Sequence, residues 1–528
     1  MWSGSRRPHT EPGRSSSLTE VNHSPTAEEL PLRHHRLFAT RIRGRSISNL
    51  PILTVGPTER RRTRAASAAL ALATATLALA ACSLGPAYRR PAIAPPPAWR
   101  TPGGSAPTAR TWPSADWWRG FQSAELDRLV AAGVQANDDL AAAIARVREA
   151  DAQVRVSSAP LLPSLDADLG GARQRMISPL GGGALLYDQF SAGLSAAYEL
   201  DFWGKNRAIR AAALATAQAS RYDRETVELS ILSSIADTYF TVLELRDRLR
   251  IARDNLASAE ETLQGLETDE EAGTTTALDV AQQATVVATL AAAIPPLEQQ
   301  ERQQTDALAI LIGATPQSFD VTAASLERIS SPPVTSGLPS ELLARRPDVA
   351  NAEAQLIAAN ADIRAARAAF FPSIELTATG GYASQTLATL LEPGSRVYAL
   401  SAGLTQPIFH GTAILGQYRL SQARYDELLA DYHKAVISAF GNVEDALTGV
   451  RDTSEQMKRQ ENAVQKAQSA YGLSQEQFHA GTINILTVLS TETALFTAQD
   501  ALSQVKLAYL QALVGLYNAL GGGWQQRS

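Results

Sequence analysis

The chain has one thiol, Cys82, and seven imidazoles. A single cysteine excludes an internal disulfide and a thiolate metal cluster. The histidines stand apart. His34 and His35 fall in an Arg-, Ser- and Pro-rich stretch, His410 follows a strand-like pattern, and His433 sits in a helical one; none has a partner at ligand spacing. No zincin His pair, phosphate-loop Gly-Lys pattern or nucleophile elbow occurs. Hydrolysis and phosphoryl transfer therefore lack machinery, and the reading is not an enzyme, with no cofactor or metal. The formal net charge of -5 gives no basic field for nucleic acid. Two groups remain with chemistry to explain: the Cys82 thiol, and the Asp279 carboxylate six residues after Gly273.

Cys82 closes a recognisable sequence. Arg60, Arg61, Arg62 and Arg64 form a basic cluster, and Ala65 to Ala81 is an uncharged run of small and apolar residues. That run is too short to cross a bilayer comfortably and reads as a secretory signal. Leu79-Ala80-Ala81-Cys82 resembles the bacterial lipoprotein processing site, which implies a covalent lipid on Cys82 as a new N-terminus. Ser83, being other than Asp, implies sorting to the outer membrane. Residues 1–59 read as a disordered or doubtful leader, with translation expected to begin near Val55; N-terminal peptides from Met1–Arg60 in purified protein would contradict that. Residues 60–81 are the signal, and 82–115, rich in Pro, Gly, Ser and Thr, a flexible acylated tether. No segment beyond the signal reads as a transmembrane helix, so the chain is either anchored or part of a barrel.

The elements that must position these groups come from an internal repeat. Ala159–Leu165 matches Ala368–Ile374, Phe202-Trp203-Gly204 matches Phe409-His410-Gly411, Ala272-Gly273-Thr274 matches Ala480-Gly481-Thr482, and Leu311-Ile312-Gly313 matches Ala519-Leu520-Gly521. The offset is about 208 residues throughout, as between Gly273 and Gly481. The expected units are 116–312 and 338–524, with a linker at 313–337. Leu126–Ser158 reads as one helix, stopped by Pro160 and Pro163. Period-two alternation then predicts a hairpin through Leu165, Ala167, Leu169 and on to Phe190–Phe202 around a loop at Gly181–Gly183. The second copy runs through Ile374–Tyr382 and Tyr398–Ile408 around Pro393-Gly394.

From Lys205 to Gln264 there is neither Gly nor Pro, enough for a helix of about 90 Å. Ile235, Val242, Leu249, Leu256 and Leu263 alternate with Thr238, Leu245, Ala252, Ala259 and Leu266 at coiled-coil spacing. Val443, Val450, Met457, Val464 and Tyr471 repeat the seam, which Thr453, Gln460 and Ser474 weaken. Return helices are expected at Ala277–Ile312 and Leu486–Leu520. The fold class is thus α+β: two tandem repeats, each a two-stranded hairpin and a long antiparallel helical hairpin. Two β-hairpins leave open edges, and four strands cannot close a membrane barrel, whose smallest forms have about eight. Several chains must share one.

These residues resemble the TolC-type outer-membrane efflux factors, lipoprotein branch. Leu338-Pro339-Ser340-Glu341-Leu342-Leu343-Ala344-Arg345-Arg346-Pro347-Asp348-Val349, continuing to Phe370-Phe371-Pro372-Ser373-Ile374, is similar to the family's middle signature. Tyr198–Lys205 and Ala519–Trp524 also match its hallmarks, and the resemblance covers about Asp116 to Trp524. It implies a homotrimer with a shared twelve-stranded barrel, an α-helical periplasmic barrel and an equatorial belt. It also implies a periplasmic adaptor, a proton-driven resistance-type pump in the inner membrane, and a passive duct for small toxic compounds. The tips at Gly273, Thr274, Gly481 and Thr482 would dock the adaptor. Rings of Asp hold the mouth in well-known members. Here Asp279 fits one ring, while Thr487 and Ser490 stand at expected acidic sites, so apolar Leu278, Ile485 or Leu486 are the other candidates. Three Asp279 carboxylates around an axis would attract cations and raise one another's pKa; the plainer reading is that Asp279 favours a helix N-terminus. Arg345-Arg346-Pro347-Asp348 reads as structural. A periplasmic adaptor, with one helical hairpin rather than two, and an envelope rod are the rival classes.

Overall fold

The computed structural model describes residues 87–100, 112–177, 183–333, 337 and 339–525, all within one compact unit, Ala73–Ser528. The leader, the signal and Cys82 lie outside the described residues.

The expected first helix is two. Helix α1, Ala124–Ala136, and α2, Asp138–Ser158, meet at Asn137 in an extended conformation. Its side chain accepts from the Leu140 amide at 3.0 Å and donates to the Leu311 carbonyl at 2.8 Å, so one residue caps α2 and ties it to a helix end far along the chain. Strands β1, Ser164–Ile177, and β2, Ala184–Glu199, follow. Helix α3, Lys205–Glu271, turns into α4, Ala277–Leu311. The second copy is α5, Pro347–Ala368, β3, Ser373–Ser384, β4, Arg396–Thr405, α6, Ala413–His479, and α7, Ile485–Ala519. Helices α3 and α6 are each 67 residues long, and α4 and α7 each 35. β2 and β4 end before Phe202 and Ile408, short of the sequence expectation.

The strands form one antiparallel sheet in chain order, with β1 and β4 at its edges. Register sorts the side chains. Leu165 faces Ala196, Leu194 faces Gly380, Tyr198 faces Leu376, and Ala378 faces Leu400. Directly paired residues share a face, so Leu165, Leu169, Leu194, Tyr198, Leu376, Leu400 and Leu404 lie together on one side. Asp166, Asp168, Ser195, Thr377, Thr379 and Ser401 lie on the other, where Ser195 donates to Asp168 at 2.7 Å and Thr377 meets Ser401 at 2.5 Å. Tyr398 and Leu400 are 85% and 77% exposed within the single chain.

Below the sheet the helices keep the same order, α2, α3, α5 and α6; further down α3 and α6 pair with α4 and α7, and α3 also meets α7. The expected seam is present. Ile235, Val242, Leu245, Leu249, Ala259 and Leu266 are buried, as are Val443, Val450 and Tyr471. Its weak positions make hydrogen bonds: Gln460 donates to the Ala498 carbonyl and Ser474 meets Thr491. The main core gathers both repeats and the linker around Trp117, Phe121, Phe240, Tyr432 and Tyr517, with Trp117 stacked on Tyr517 at 5.2 Å.

The expectation of a flexible tether changes. Residues 87–100 are not a free tether: Tyr88 and Arg90 donate to Glu353, Trp99 to the Gly337 carbonyl, and the Arg100 amide to Glu444. The aromatic and charged residues among the prolines give this stretch its partners. Helix α4 runs through Pro295 and Pro296. It is also apolar enough, at a mean hydropathy of 1.4 over its best window, to qualify by length and composition as a membrane span. It lies alongside α3, however, whose Arg250, Arg253, Glu260, Glu261 and Glu267 would then enter the bilayer at high cost.

Candidate functional site: the paired hairpin tips and the sheet–helix joint

Each long hairpin turns through a left-handed glycine, φ +75° at Gly273 and +67° at Gly481. The Thr274 and Thr482 amides donate back to the Asp269 and Gln477 carbonyls, at 2.9 and 3.0 Å, as in a Schellman closure. Both threonine hydroxyls donate to those same carbonyls. A Cβ on either glycine would meet nothing within 4 Å. The glycines are required by backbone conformation, and they leave an open surface.

The return helices start differently. Thr276 and Asp279 form a capping box: the Asp279 carboxylate accepts from the Thr276 amide at 3.2 Å, the Thr276 hydroxyl at 2.7 Å and the Thr275 hydroxyl at 3.1 Å. The Thr276 hydroxyl holds its pKa below the usual aspartate value. Within one chain the carboxylate is thus stabilised as the anion, opposite to the shift expected from a ring. In the second copy Asn484 takes the Thr276 place and accepts from Thr487, so that tip closes without a charge.

Leu278 and Leu486 are 65% and 51% exposed at the two tips. Ile485, grouped with them in the sequence reading, is 2% exposed and packs with Leu266, Tyr471, Val488 and Leu495. It holds the two hairpins together and is not free wall; the turn of about 100° between neighbouring helical residues carries Leu486 out of the buried face that Ile485 occupies. Next to that cluster lies a group sequence reading missed. Glu492 is 1% exposed and accepts from Tyr471 at 3.4 Å, and Ser258 on α3 lies 3.5 Å from the same tyrosine oxygen. Burial raises the Glu492 pKa. Nothing in a single sequence marks it, because it falls within an otherwise ordinary apolar helix.

The second joint lies under the sheet. Asp201 caps α3, accepting from the Asn206 and Arg207 amides at 2.8 and 2.9 Å. Trp203 donates to the Pro372 carbonyl at 2.7 Å and stacks on Phe371 at 4.8 Å. The two signature stretches are therefore one contact between the repeats. Arg346 pairs with Asp348 at 2.6 Å and donates to the Ala519 carbonyl at the end of α7. Arg246 binds Glu301, Asp320 and the Val321 and Ala323 carbonyls, fixing the linker to the first hairpin. No His, Cys, Asp or Glu group among the described residues could hold a metal.

A family model described as outer membrane efflux protein matches residues 132–314 and 338–522. A pyoverdine export outer membrane protein of Pseudomonas aeruginosa is 43% identical over 453 residues, spanning 84% of this chain and 94% of the relative. A toluene efflux pump outer membrane protein of Pseudomonas putida is 33% identical over 462 residues, spanning 85% and 95%. Among solved structures, the outer-membrane channel OprN superposes with a TM-score of 0.80 at 26% identity, over 84% of this chain and 100% of that one. The CmeC outer membrane channel of Campylobacter jejuni gives 0.80 at 25%, over 85% and 96%.

Proposed function

The chain belongs to the outer membrane efflux protein family and acts as an exit duct in the outer membrane, and from that premise we propose the assembly and gating that follow. Three copies pool their four-stranded sheets into one barrel, the Leu165–Leu194–Leu400 face toward lipid and the Asp168–Ser195–Thr377 face toward water. The observation that carries this reading is the pair of unpaired edges, β1 and β4, on a sheet sorted into an apolar and a polar face over Leu165–Leu169 and Leu400–Leu404, with Arg173, Arg175 and Asp188 joining the apolar face only at its far end. An isolated sheet of this kind would expose both backbone edges to hydrocarbon, which a closed shared barrel avoids.

Helices α3, α4, α6 and α7 continue the duct toward the periplasm, where the Gly273-Thr274 and Gly481-Thr482 tips receive the hairpins of a periplasmic adaptor. An inner-membrane pump, of the proton-driven resistance type, supplies the force. Asp279, Leu278 and Leu486 line the mouth, and a lipid on Cys82 anchors the N-terminus. The cargo is a small molecule. The greater identity to pyoverdine export proteins, 43% and 40%, than to the toluene relative at 33% favours a cargo of the pyoverdine kind over a solvent.

Planar-bilayer recording tests the reading. The full chain should give a small, mostly closed, cation-selective conductance, and Asp279→Ala should reduce the selectivity. Absence of any conductance would reject the duct; unchanged selectivity in the variant would remove Asp279 from the mouth.

A further inference from the structure

The sheet distributes its charges by face and by height. Its strands carry three arginines, Arg173, Arg175 and Arg396, and all three fall on the apolar face with Leu165, Leu194 and Leu400. Four of its five carboxylates, Asp166, Asp168, Glu199 and Glu375, fall on the polar face. The fifth, Asp188, lies opposite Arg173 at 3.5 Å, and that arginine side chain is still 69% exposed. Arg175 and Arg396 are exposed, with no ion pair among the described residues.

Height follows from register. Ser164, Ala197, Thr377 and Ser401 share one row across the sheet, yet β4 runs on from Ser401 to Thr405. Both hairpins spring from the helices beneath, so the rows climb by that difference from β1 to β4, as strand tilt in a barrel demands. Arg396 shares the row of Leu169 and is thereby lifted level with Arg173. Phe190, Tyr382 and Tyr398, on the same face, come just below them. From the helices outward, this face reads aliphatic at Leu165 and Leu404, then aromatic, then basic. An arginine on a lipid-facing wall is costly at the bilayer middle and nearly without penalty at its surface, where aromatic residues gather. The arginines therefore mark the level at which the sheet leaves hydrocarbon, on the side away from the helices.

In a shared barrel, β4 of one copy lies beside β1 of the next. That brings Arg396 next to the Arg173–Arg175 pair of the neighbouring copy, with Asp188 as the one counter-charge. Like charges side by side repel unless an anion lies between them. We propose that each such seam binds the phosphate groups of the phosphorylated glycolipid of the outer leaflet, lipopolysaccharide, at three equivalent sites around the trimer. The proposal rests on the shared-barrel reading. Guanidinium groups present a planar fork to phosphate oxygens. The acyl chains lie along Leu194 and Leu400 below, and the aromatic side chains occupy the boundary. One chain holds only part of the site, because Arg173 and Arg396 stand on opposite edges of its sheet. Lipid binding and assembly therefore favour each other.

The test is native mass spectrometry of the full-chain trimer in detergent, freed of endogenous lipid and titrated with bisphosphorylated lipid A. The parent should take up about three lipids saturably, and at least about ten-fold more tightly than lipid A stripped of both phosphates. R173Q/R175Q/R396Q should weaken lipid A binding by about ten-fold or more, toward the dephosphorylated level. R419Q/R451Q/R459Q, which removes the same charge from exposed positions of α6, should leave it unchanged. Equal affinity for lipid A with and without phosphates, phosphatidylglycerol bound as tightly as lipid A, or a sheet variant that binds like the parent would overturn the proposal and leave the duct standing. A chain that forms no trimer would overturn both.

Discussion

At the scale of single residues, the acidic groups near the tips behave oppositely. Asp279 sits in hydroxyl and amide donors that favour its anion. Its folded pKa is depressed, so its capping contribution is present above the ordinary aspartate range and is lost only as pH falls below it. Asp279→Ala should cost about 1 kcal/mol of local helix stability at neutral pH, read as faster amide exchange at Thr276–Val280. Glu492 is the reverse case, buried with one oxygen unpartnered. Its folded pKa is raised, so the folded chain holds a proton that the unfolded chain releases above about pH 4.3. Stability therefore falls as pH rises from that point. Glu492→Gln should make the decline in thermal melts from pH 5 upward shallower, with buried Asp237 and Glu244, both pushed up to about 7, keeping the remainder, and stabilise the protein at neutral pH by roughly 1–3 kcal/mol. A variant with the parent's pH slope would show that Glu492 contributes nothing to it. The tip glycines call for a third substitution. Gly273→Ala and Gly481→Ala each force a left-handed non-glycine residue, at about 1 kcal/mol, and should weaken adaptor capture while leaving the assembled duct intact.

At the scale of elements, the caps and joints decide how helices meet. Arg346 spends its guanidinium on Asp348 and on the last carbonyl of α7. Arg346→Ala should destabilise by about 1.5–3 kcal/mol, and Arg346→Lys should restore little, because an ammonium cannot serve both partners in one plane; chemical denaturation of the two variants checks this. This is also the scale where reading the sequence succeeded and failed. The 208-residue offset, the heptad through Ile235 and Leu249, and the alternation through Leu165 and Leu400 are periodic signals, and periodicity is what one chain displays without relatives. The break at Asn137 has a local signal, an asparagine cap followed by Asp138 and Asp139, that the apolar spacing on either side overrides; its second bond, to the Leu311 carbonyl, is not legible in sequence. The docking of 87–100 was missed because composition speaks for the unbound chain, while Glu353 and Glu444 supply the bonds. Ile485 and Leu486 were grouped because both are apolar; only the three-dimensional helix phase separates the buried one from the exposed one. Arg346 was recognised as structural, but its partner on α7 was not legible.

At the scale of the molecule, a single chain leaves too much uncovered to be the working unit. β1 and β4 are exposed along their whole length, and only 6% of the residues in the most apolar stretch of α4 are buried. Large apolar surface of this kind is found at interfaces with other chains or with lipid. Shared closure accounts for both: the strand edges pair between protomers, and the exposed helices pack against neighbouring copies. The native mass of the full chain, extracted in detergent and measured by mass spectrometry under non-denaturing conditions, tests this most directly. The account predicts a single dominant species of three copies; a stable monomer would mean that the sheet closes no shared barrel, and the duct would have to be abandoned.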